Sequence, residues 1–188
     1  MSFDDGGLKL KLSSSKESLT LESSLQAYFY DQLQEFNKKS TQPLSNELVF
    51  YSSLVMDHFG DANKYFENVD GKIREKILGI KLMESAQFPK EKQKIILRDI
   101  ADTALLLCGY FSDSLNKKII DTKYYQEVGV IAYKRLNSFQ PKAYDVEDFF
   151  ERIAFQFQNV TTLMNLVSVK HVTDPYSLLL IAPSRKVS

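Results

Sequence analysis

Apolar residues recur at intervals of three and four along most of this chain, the spacing that places them on one face of an α-helix. One such stripe predicts a seventh and last helix that begins after a cap at Asp145. Its apolar members are Phe149, Ile153, Phe157, Val160, Met164 and Val167. Strand signals are nearly absent, and no repeat of fixed period occurs. The pattern therefore predicts an all-α fold, a single-domain irregular bundle of six or seven helices.

Prolines, glycines and capping residues divide the rest of the pattern into further helices. The predicted elements are a first helix from about Thr20 to Lys39, a second after Ser45 that stops at Gly60, a short third over 61–66, a fourth that opens at Gly71 and carries Ile73, Ile77, Ile80 and Glu84, a fifth from Pro89 to about Lys117, and a sixth from Asp121 to about Asn137.

The two ends of the chain differ from this helical pattern. Residues 1–20 are predicted to form a flexible lead-in, with a docking segment around Leu8, Leu10 and Leu12 as the alternative. Residues 21–170 are expected to form the bundle, and 171–188 a C-terminal tail. The tail contains an apolar run, 178–181, for which three roles stay open: docking in a partner's groove, pairing in a dimer, or packing on its own bundle.

Charge and cysteine content narrow the function classes. The chain has 24 basic and 24 acidic residues, which argues against a nucleic-acid binder because such proteins depend on clustered lysine and arginine. Its single cysteine, Cys108, lies in an apolar run, which is typical of a buried residue in a reducing compartment and predicts a cytoplasmic location. No apolar run approaches the roughly 20 residues that span a bilayer, so no membrane partner is expected.

The familiar catalytic and cofactor motifs are missing from the sequence. Its two histidines, His58 and His171, do not stand in a metal-binding spacing, and neither a phosphate loop nor a nucleophile elbow occurs. No metal and no cofactor are therefore predicted. The first hypothesis is a non-enzymatic helical interaction or regulatory module whose partner is a protein, with self-association included. The alternative is a small-molecule-binding or enzymatic bundle with a polar pocket between the helices at about 90–117 and 121–137.

Small and polar residues form a stripe along one side of the predicted fifth helix. On a helical wheel, with about 100° of rotation per residue, this side includes Arg98, Asp102, Gly109 and Asp113. The stripe is either a solvated face with an ion pair between Arg98 and Asp102, or a semi-buried surface that lines a groove or a helix contact. Gly109 favours the second interpretation because a glycine inside a helix costs about 1 kcal/mol relative to alanine.

Three aromatic residues complete the set of ligand or interaction candidates. Tyr124 and Tyr125 open the predicted sixth helix, either as core tyrosines bonded to a carboxylate such as Asp102 or Asp113, or as residues that face a ligand. Phe155 lies opposite the apolar stripe of the last helix, which makes it a candidate for contact with a partner.

A resemblance connects these segments. The motifs are Leu97-Arg98, Asp102, Gly109-Tyr110-Phe111, Ser114-Leu115, Asp121, Tyr124-Tyr125, Gly129 and Ala132-Tyr133, preceded by Asn46-Glu47-Leu48, Tyr51, Leu54 and Phe59. With these motifs the chain resembles, over about 25–169, a family of uncharacterised bacterial helical proteins that has no established activity. The resemblance implies a bacterial cytosolic protein and supplies no mechanism.

Overall fold

The computed structural model describes residues 24–58, 66–69, 72–75, 78–112, 122–139 and 146–173. These residues form an all-α bundle with one small hairpin, as the apolar spacing predicts for the fold class. The elements are α1 (Leu25–Asn37), α2 (Asn46–Asp57), β1 (Phe66–Val69), β2 (Lys72–Glu75), α3 (Leu78–Glu84), a 3₁₀ turn (Ser85–Gln87), α4 (Lys90–Gly109), α5 (Thr122–Ser138), α6 (Phe149–Phe155) and α7 (Phe157–Thr173). The predicted lead-in and most of the predicted tail lie outside the described residues.

Side-chain hydrogen bonds fix both ends of α1. Ser24 caps the first turn, where its Oγ accepts from the backbone N–H of Ala27 at 3.1 Å. The buried Asn37 side chain donates to the Leu44 carbonyl at 2.9 Å and accepts from the Leu44 N–H at 2.8 Å. This two-way bond holds the loop against the end of α1, so that it forms one wall of a surface groove described below.

The predicted fourth helix is wrong in its first half. Residues 66–69 and 72–75 pair as an antiparallel hairpin with Phe66 opposite Glu75, and α3 begins only at Leu78. The sequence between the strands is Asp70-Gly71, a dipeptide favoured in two-residue hairpin turns. The isoleucines after Gly71 have helical spacing, and this periodicity favours a helix over the turn that Asp70-Gly71 indicates. Phe66, predicted to end the short third segment, belongs to β1, and 59–65 lie outside the described residues.

The predicted fifth and sixth helices correspond to α4 and α5, which pack extensively against each other. The end of α5 at Ser138 lies one residue from its predicted position. α4 ends at Gly109, and the N–H groups of Tyr110 and Phe111 both donate to the carbonyl of Leu106, which marks the end of regular helical bonding. Residues 113–117 of the predicted fifth helix lie outside the described part.

The predicted last helix is two helices, because the chain is interrupted at Gln156 (φ −96°, ψ 15°). Its apolar stripe runs across the interruption without a change of spacing, so the sequence does not reveal it. The Gln156 N–H still donates to the Arg152 carbonyl, and the Val160 N–H to the Gln156 carbonyl, both at 3.0 Å. α7 therefore continues closely from α6. No helix among the described ranges is both long enough and apolar enough to cross a bilayer.

Candidate functional site

Asp102 on α4 is the centre of a polar cluster inside the bundle. Its Oδ1 atom accepts hydrogen bonds from the hydroxyls of Tyr51 at 2.6 Å and Tyr133 at 2.8 Å. Its Oδ2 atom lies 3.7 Å from Nε of Arg98, and the Arg98 guanidinium lies 5.5 Å from the centre of the Tyr51 ring. The cluster thus joins α2, α4 and α5 through one carboxylate.

Burial sets the protonation behaviour of this cluster. The Asp102 side chain is 23% exposed, and loss of solvation raises its pKa against the opposing effects of the two tyrosine hydrogen bonds, Arg98 and His58. Burial and the neighbouring carboxylate raise the pKa of both Tyr51 and Tyr133 well above the usual value for tyrosine. The two hydroxyls consequently stay protonated and act as fixed donors to Asp102.

Aromatic rings surround the two tyrosines. The Tyr51 ring meets Phe149 edge-on at 5.2 Å between centroids, and the Tyr133 ring stacks on Phe150 at 6.0 Å with 13° between the planes. Phe157 contacts Tyr133 at 6.3 Å. These rings bring α6 and α7 to the same cluster. The result is a polar cluster in the core in which the two tyrosine hydroxyls and the Asp102 carboxylate bond one another.

The two central glycines serve helix packing. A Cβ atom on Gly109 would lie 2.8 Å from Cβ of Met164 on α7. A Cβ atom on Gly129 would lie 2.9 Å from Cβ of Ala104 on α4 and 2.8 Å from the Phe157 ring. All three distances are too short for real carbon atoms, so glycine at each position allows its helix to approach a neighbour.

The polar stripe of α4 is a helix contact along most of its length. Ala101, Leu105 and Gly109 on this side are buried, and the hydroxyl of Ser112 accepts from the Asn165 side chain of α7 at 2.6 Å. Among its described members Arg98 is the most exposed, with a side chain that is 47% exposed against 23% for Asp102. Because Arg98 points to the surface, and Ala104 and Gly129 bring α4 and α5 into contact, the geometry counts against a pocket between these helices.

Tyr124 and Tyr125 do not join the Asp102 cluster; Tyr51 and Tyr133 bond this carboxylate instead. The Tyr124 hydroxyl accepts from the backbone N–H of Gly79 at 3.0 Å and so contacts α3. Tyr125 is buried in the core, and burial raises its pKa. Asp113, the last polar member of the predicted stripe, lies outside the described residues.

Cys108 and the acidic residues offer no reactive centre in the described ranges. The Cys108 thiol is buried and donates to the Thr122 carbonyl at 3.5 Å, and burial raises its pKa to about 12. No three histidine, cysteine, aspartate or glutamate side chains lie together within the described part of the chain in a way that would hold a metal ion.

The outer side of α6 and α7 forms an exposed face that we term the neutral face. No charged residue occurs between Arg152 and Lys170, although one side of this stretch is exposed over more than three turns. On α7, where each residue advances by about 100°, the exposed positions Gln158, Asn159, Thr162, Leu166 and Val169 fall within an arc of about 100°. Phe155 of α6 precedes them across the interruption at Gln156 and completes the neutral face. Phe155 is 88% exposed, as its position opposite the apolar stripe predicts.

Other exposed apolar side chains lie among charged ones. Ile95, 71% exposed, stands on α4 next to Lys94 and three residues from Arg98. Met83 on α3 is followed by Glu84, with Lys81 two residues before it. Isolated apolar residues in such settings are normal on protein surfaces. Among the described helices, the neutral face differs in combining exposed apolar side chains with an absence of charge.

A groove of about 450 Å³ runs beside the neutral face. One wall is formed by Asn159, Thr162, Leu163 and Leu166 of α7. The other wall comes from the end of α1 and the loop that Asn37 holds, and includes Phe36, Lys39 and Leu44. Sequence reasoning missed this groove, since its walls lie more than a hundred positions apart in the chain.

Comparisons with protein families, with curated proteins and with solved structures found no match to this chain. The resemblance to a bacterial helical family described above therefore stays a prediction, and the site is interpreted from its own geometry.

Proposed function

We propose that this chain is a non-enzymatic interaction module that pairs with a second copy of itself through the neutral face. The observation that carries the proposal is Phe155, an aromatic side chain that is 88% exposed at one end of a face without charge. Aromatic residues are enriched and charged residues depleted at the centres of protein interfaces. The Asp102 cluster supports a non-enzymatic role because its polar atoms are engaged in holding three helices together.

The charges at the rim of the neutral face support a protein partner. Glu151 lies 3.9 Å from Lys134, and Lys170 lies 3.1 Å from Glu35, so that charged groups at both ends are paired within the chain. A polar rim around an uncharged centre is the usual composition of a protein interface. An acidic or basic partner would find no complementary charge on the face, whereas an uncharged helix face fits it.

A second copy supplies such a face when the α7 helices of the two copies lie antiparallel, with Thr162 of one copy opposite Thr162 of the other. This alignment places Phe155 opposite Val169 of the second copy, and Gln158 opposite its Leu166. Phe155 and Val169 then cover each other at both ends, the stem of Gln158 lies against Leu166, and Thr162 meets its equivalent at the centre. Pairing of identical surfaces about a two-fold axis is the commonest form of association between identical chains.

The face is short, so we expect weak pairing. From Phe155 to Val169 it covers about 21 Å at 1.5 Å per residue. One helix face of this length buries less than the roughly 800 Å² per partner of a standard interface. The expected dissociation constant therefore lies in the micromolar range or above, as in regulated contacts.

Sedimentation equilibrium on Phe155→Asp tests the proposal, with Ile95→Asp as the matched control. Both changes put a carboxylate in place of an exposed apolar side chain, and only the first lies on the neutral face. We expect the wild-type chain and Ile95→Asp to associate with rising concentration, and Phe155→Asp to stay monomeric. A wild-type chain that is monomeric at millimolar concentration overturns self-pairing, as does equal association of all three proteins.

We further propose a cytoplasmic location. The single cysteine supports it, since Cys108 has no second cysteine in the chain for a disulfide, and proteins of reducing compartments typically keep such thiols.

A further inference from the structure

We propose that the groove beside the neutral face binds the chain's own C-terminal apolar segment, residues 178–182, and that this segment thereby competes with pairing. The sequence of the segment is Leu-Leu-Leu-Ile-Ala, without charge, and it lies between Pro175 and Pro183. A cavity of about 450 Å³ is at the lower end of the range for ligand sites and accommodates two or three such side chains.

The position at which α7 ends supports an occupant from the same chain. α7 ends at Thr173, two residues before Pro175, a residue that disfavours continuation of a helix. Leu166 and Thr162 lie seven and eleven residues back along α7, which is about 10 and 16 Å at 1.5 Å per residue. Leu180 and Ala182 follow Pro175 by five and seven residues, about 16 and 23 Å in an extended chain. After subtraction of the roughly 7 Å from Thr173 to Pro175, they reach back about 10 and 16 Å, level with Leu166 and Thr162. A segment that turns back at Pro175 therefore comes alongside the groove.

Lys170 lies beside the end of the groove that is nearest to Thr173. Its Nζ donates to Oε1 of Gln32 at 2.6 Å and to Oε2 of Glu35 at 3.1 Å, and thus ties the end of α7 to α1. Its Nζ also lies 5.9 Å from the centre of the Phe36 ring in the groove lining. This bridge thus connects the two helices that contribute to the walls, next to the point at which the segment would enter.

The N-terminal leucines fit the groove less well. Leu8, Leu10 and Leu12 alternate with Lys9 and Lys11. The groove already presents Lys39 on its lining. The nearby carboxylate of Glu35 is bonded to both Lys39 and Lys170, and these two lysines lower its pKa. A basic segment would therefore meet positive charge without a free acidic partner, whereas 178–182 carries no charge.

Docking of this segment has a consequence for the proposed pairing. Asn159, Thr162 and Leu166 belong both to the groove wall and to the neutral face. A tail segment and a second copy cannot cover these three residues at the same time. The docking itself does not rest on the proposed function; only its regulatory effect does.

A cysteine-labelling experiment on the full chain tests the docking. The reporter is Thr162→Cys in a Cys108→Ala background, and Gln158→Cys serves as the matched control, exposed on the same helix one turn away and outside the groove lining. Each reporter is combined with the wild-type tail or with Leu178→Asp/Leu180→Asp. Labelling with a maleimide is followed at concentrations at which the chain sediments as a monomer, and then at higher ones.

We expect the tail substitutions to speed labelling at position 162 about tenfold, as for a segment that is docked about 90% of the time, and to leave position 158 unchanged. Equal rates at position 162 with both tails overturn the docking. Protection that disappears on dilution also overturns it, because the tail of another copy would then be the occupant. The pairing proposal is tested separately at position 158. It fails if the labelling rate there does not change with protein concentration.

A crosslink checks the same contact without charged substitutions. In the Cys108→Ala background, Thr162→Cys with Ala182→Cys should form a disulfide within one chain under mild oxidation, detected by mass spectrometry. Ile95→Cys with Ala182→Cys is the control, since Ile95 is exposed on α4, away from the groove lining. No intrachain disulfide in the first pair, or equal yields in both pairs, contradicts the proposal.

Discussion

The Tyr51 hydroxyl donates a 2.6 Å hydrogen bond to Asp102, a residue 51 positions further along the chain. Tyr133, 31 positions beyond Asp102, donates to the same oxygen at 2.8 Å. Three helices that are separated in sequence are thus joined at one atom. A bond between a buried hydroxyl and a carboxylate gains strength from the low polarity of its surroundings. The cluster is therefore expected to contribute to stability and to the unique packing of the bundle.

The first prediction concerns the loss of this acceptor. Asp102→Ala leaves the Tyr51 and Tyr133 hydroxyls buried without their partner, so we expect the free energy of unfolding to fall by about 2–4 kcal/mol. Asp102→Asn should cost less, because an amide oxygen still accepts from both hydroxyls. Urea unfolding measures both, with Asp31→Ala as the control for an exposed aspartate. A loss at Asp102→Ala no larger than that of the control would contradict a stabilising role.

The second prediction concerns pH. Burial raises the pKa of Asp102 in the folded state, so the unfolded chain releases this proton at lower pH than the folded chain does. The contribution of Asp102 to stability should therefore decline as the pH rises above about 4, the ordinary aspartate value, towards the raised folded value. The unfolding free energy of the wild type minus that of Asp102→Asn should fall across this window. A difference that grows with pH would mean a lowered pKa.

The third prediction concerns the approach of α5 to α4. Gly129→Ala places a methyl group 2.9 Å from Cβ of Ala104 and 2.8 Å from the Phe157 ring. We expect a loss of about 1–3 kcal/mol from overpacking, even though alanine favours the helix. Ala104→Gly in the same chain removes one of the two clashes and should restore part of the loss. Thermal unfolding that is unchanged or improved in Gly129→Ala would contradict the close packing.

The fourth prediction concerns Cys108. Its thiol is buried, and burial raises its pKa to about 12, so almost no thiolate exists at neutral pH. We expect a thiol reagent such as dithionitrobenzoate to react with the native chain far more slowly than with the chain in denaturant. Comparable rates in the two conditions would show that the thiol reaches solvent.

The sequence predicts some of these features and misses others for identifiable reasons. Periodicity and the position of Pro141 are local signals, and they place the end of α5 within one residue. The hairpin was missed because Ile73, Ile77 and Ile80 have helical spacing. The sequence does not identify Tyr51 and Tyr133 as the partners of Asp102, since the pairing of Tyr51 with Asp102 depends on how α2 packs against α4. Nothing within either helix specifies that contact.

The exposure of Phe155 was predictable because it requires only one helix. Its position opposite Ile153 and Phe157 on the helical wheel is enough to turn it away from the core. The groove was beyond such reasoning, because Phe36 and Leu166 meet only in the folded bundle. Features confined to one helix thus follow from the sequence, whereas surfaces built from two helices require the structure.

The central claim is that two copies pair antiparallel through the neutral face, and an exchange of charge across that face tests it most directly. Phe155→Lys and Val169→Glu are each expected to prevent pairing with an identical copy, since each buries an unpaired charge twice. In a mixture, antiparallel pairing places the introduced lysine of one variant opposite the introduced glutamate of the other and leaves the wild-type pair at the second contact. Sedimentation equilibrium should therefore show two monomeric variants that associate when mixed in equal amounts. A mixture that stays monomeric while the wild type associates would contradict the antiparallel neutral-face pairing.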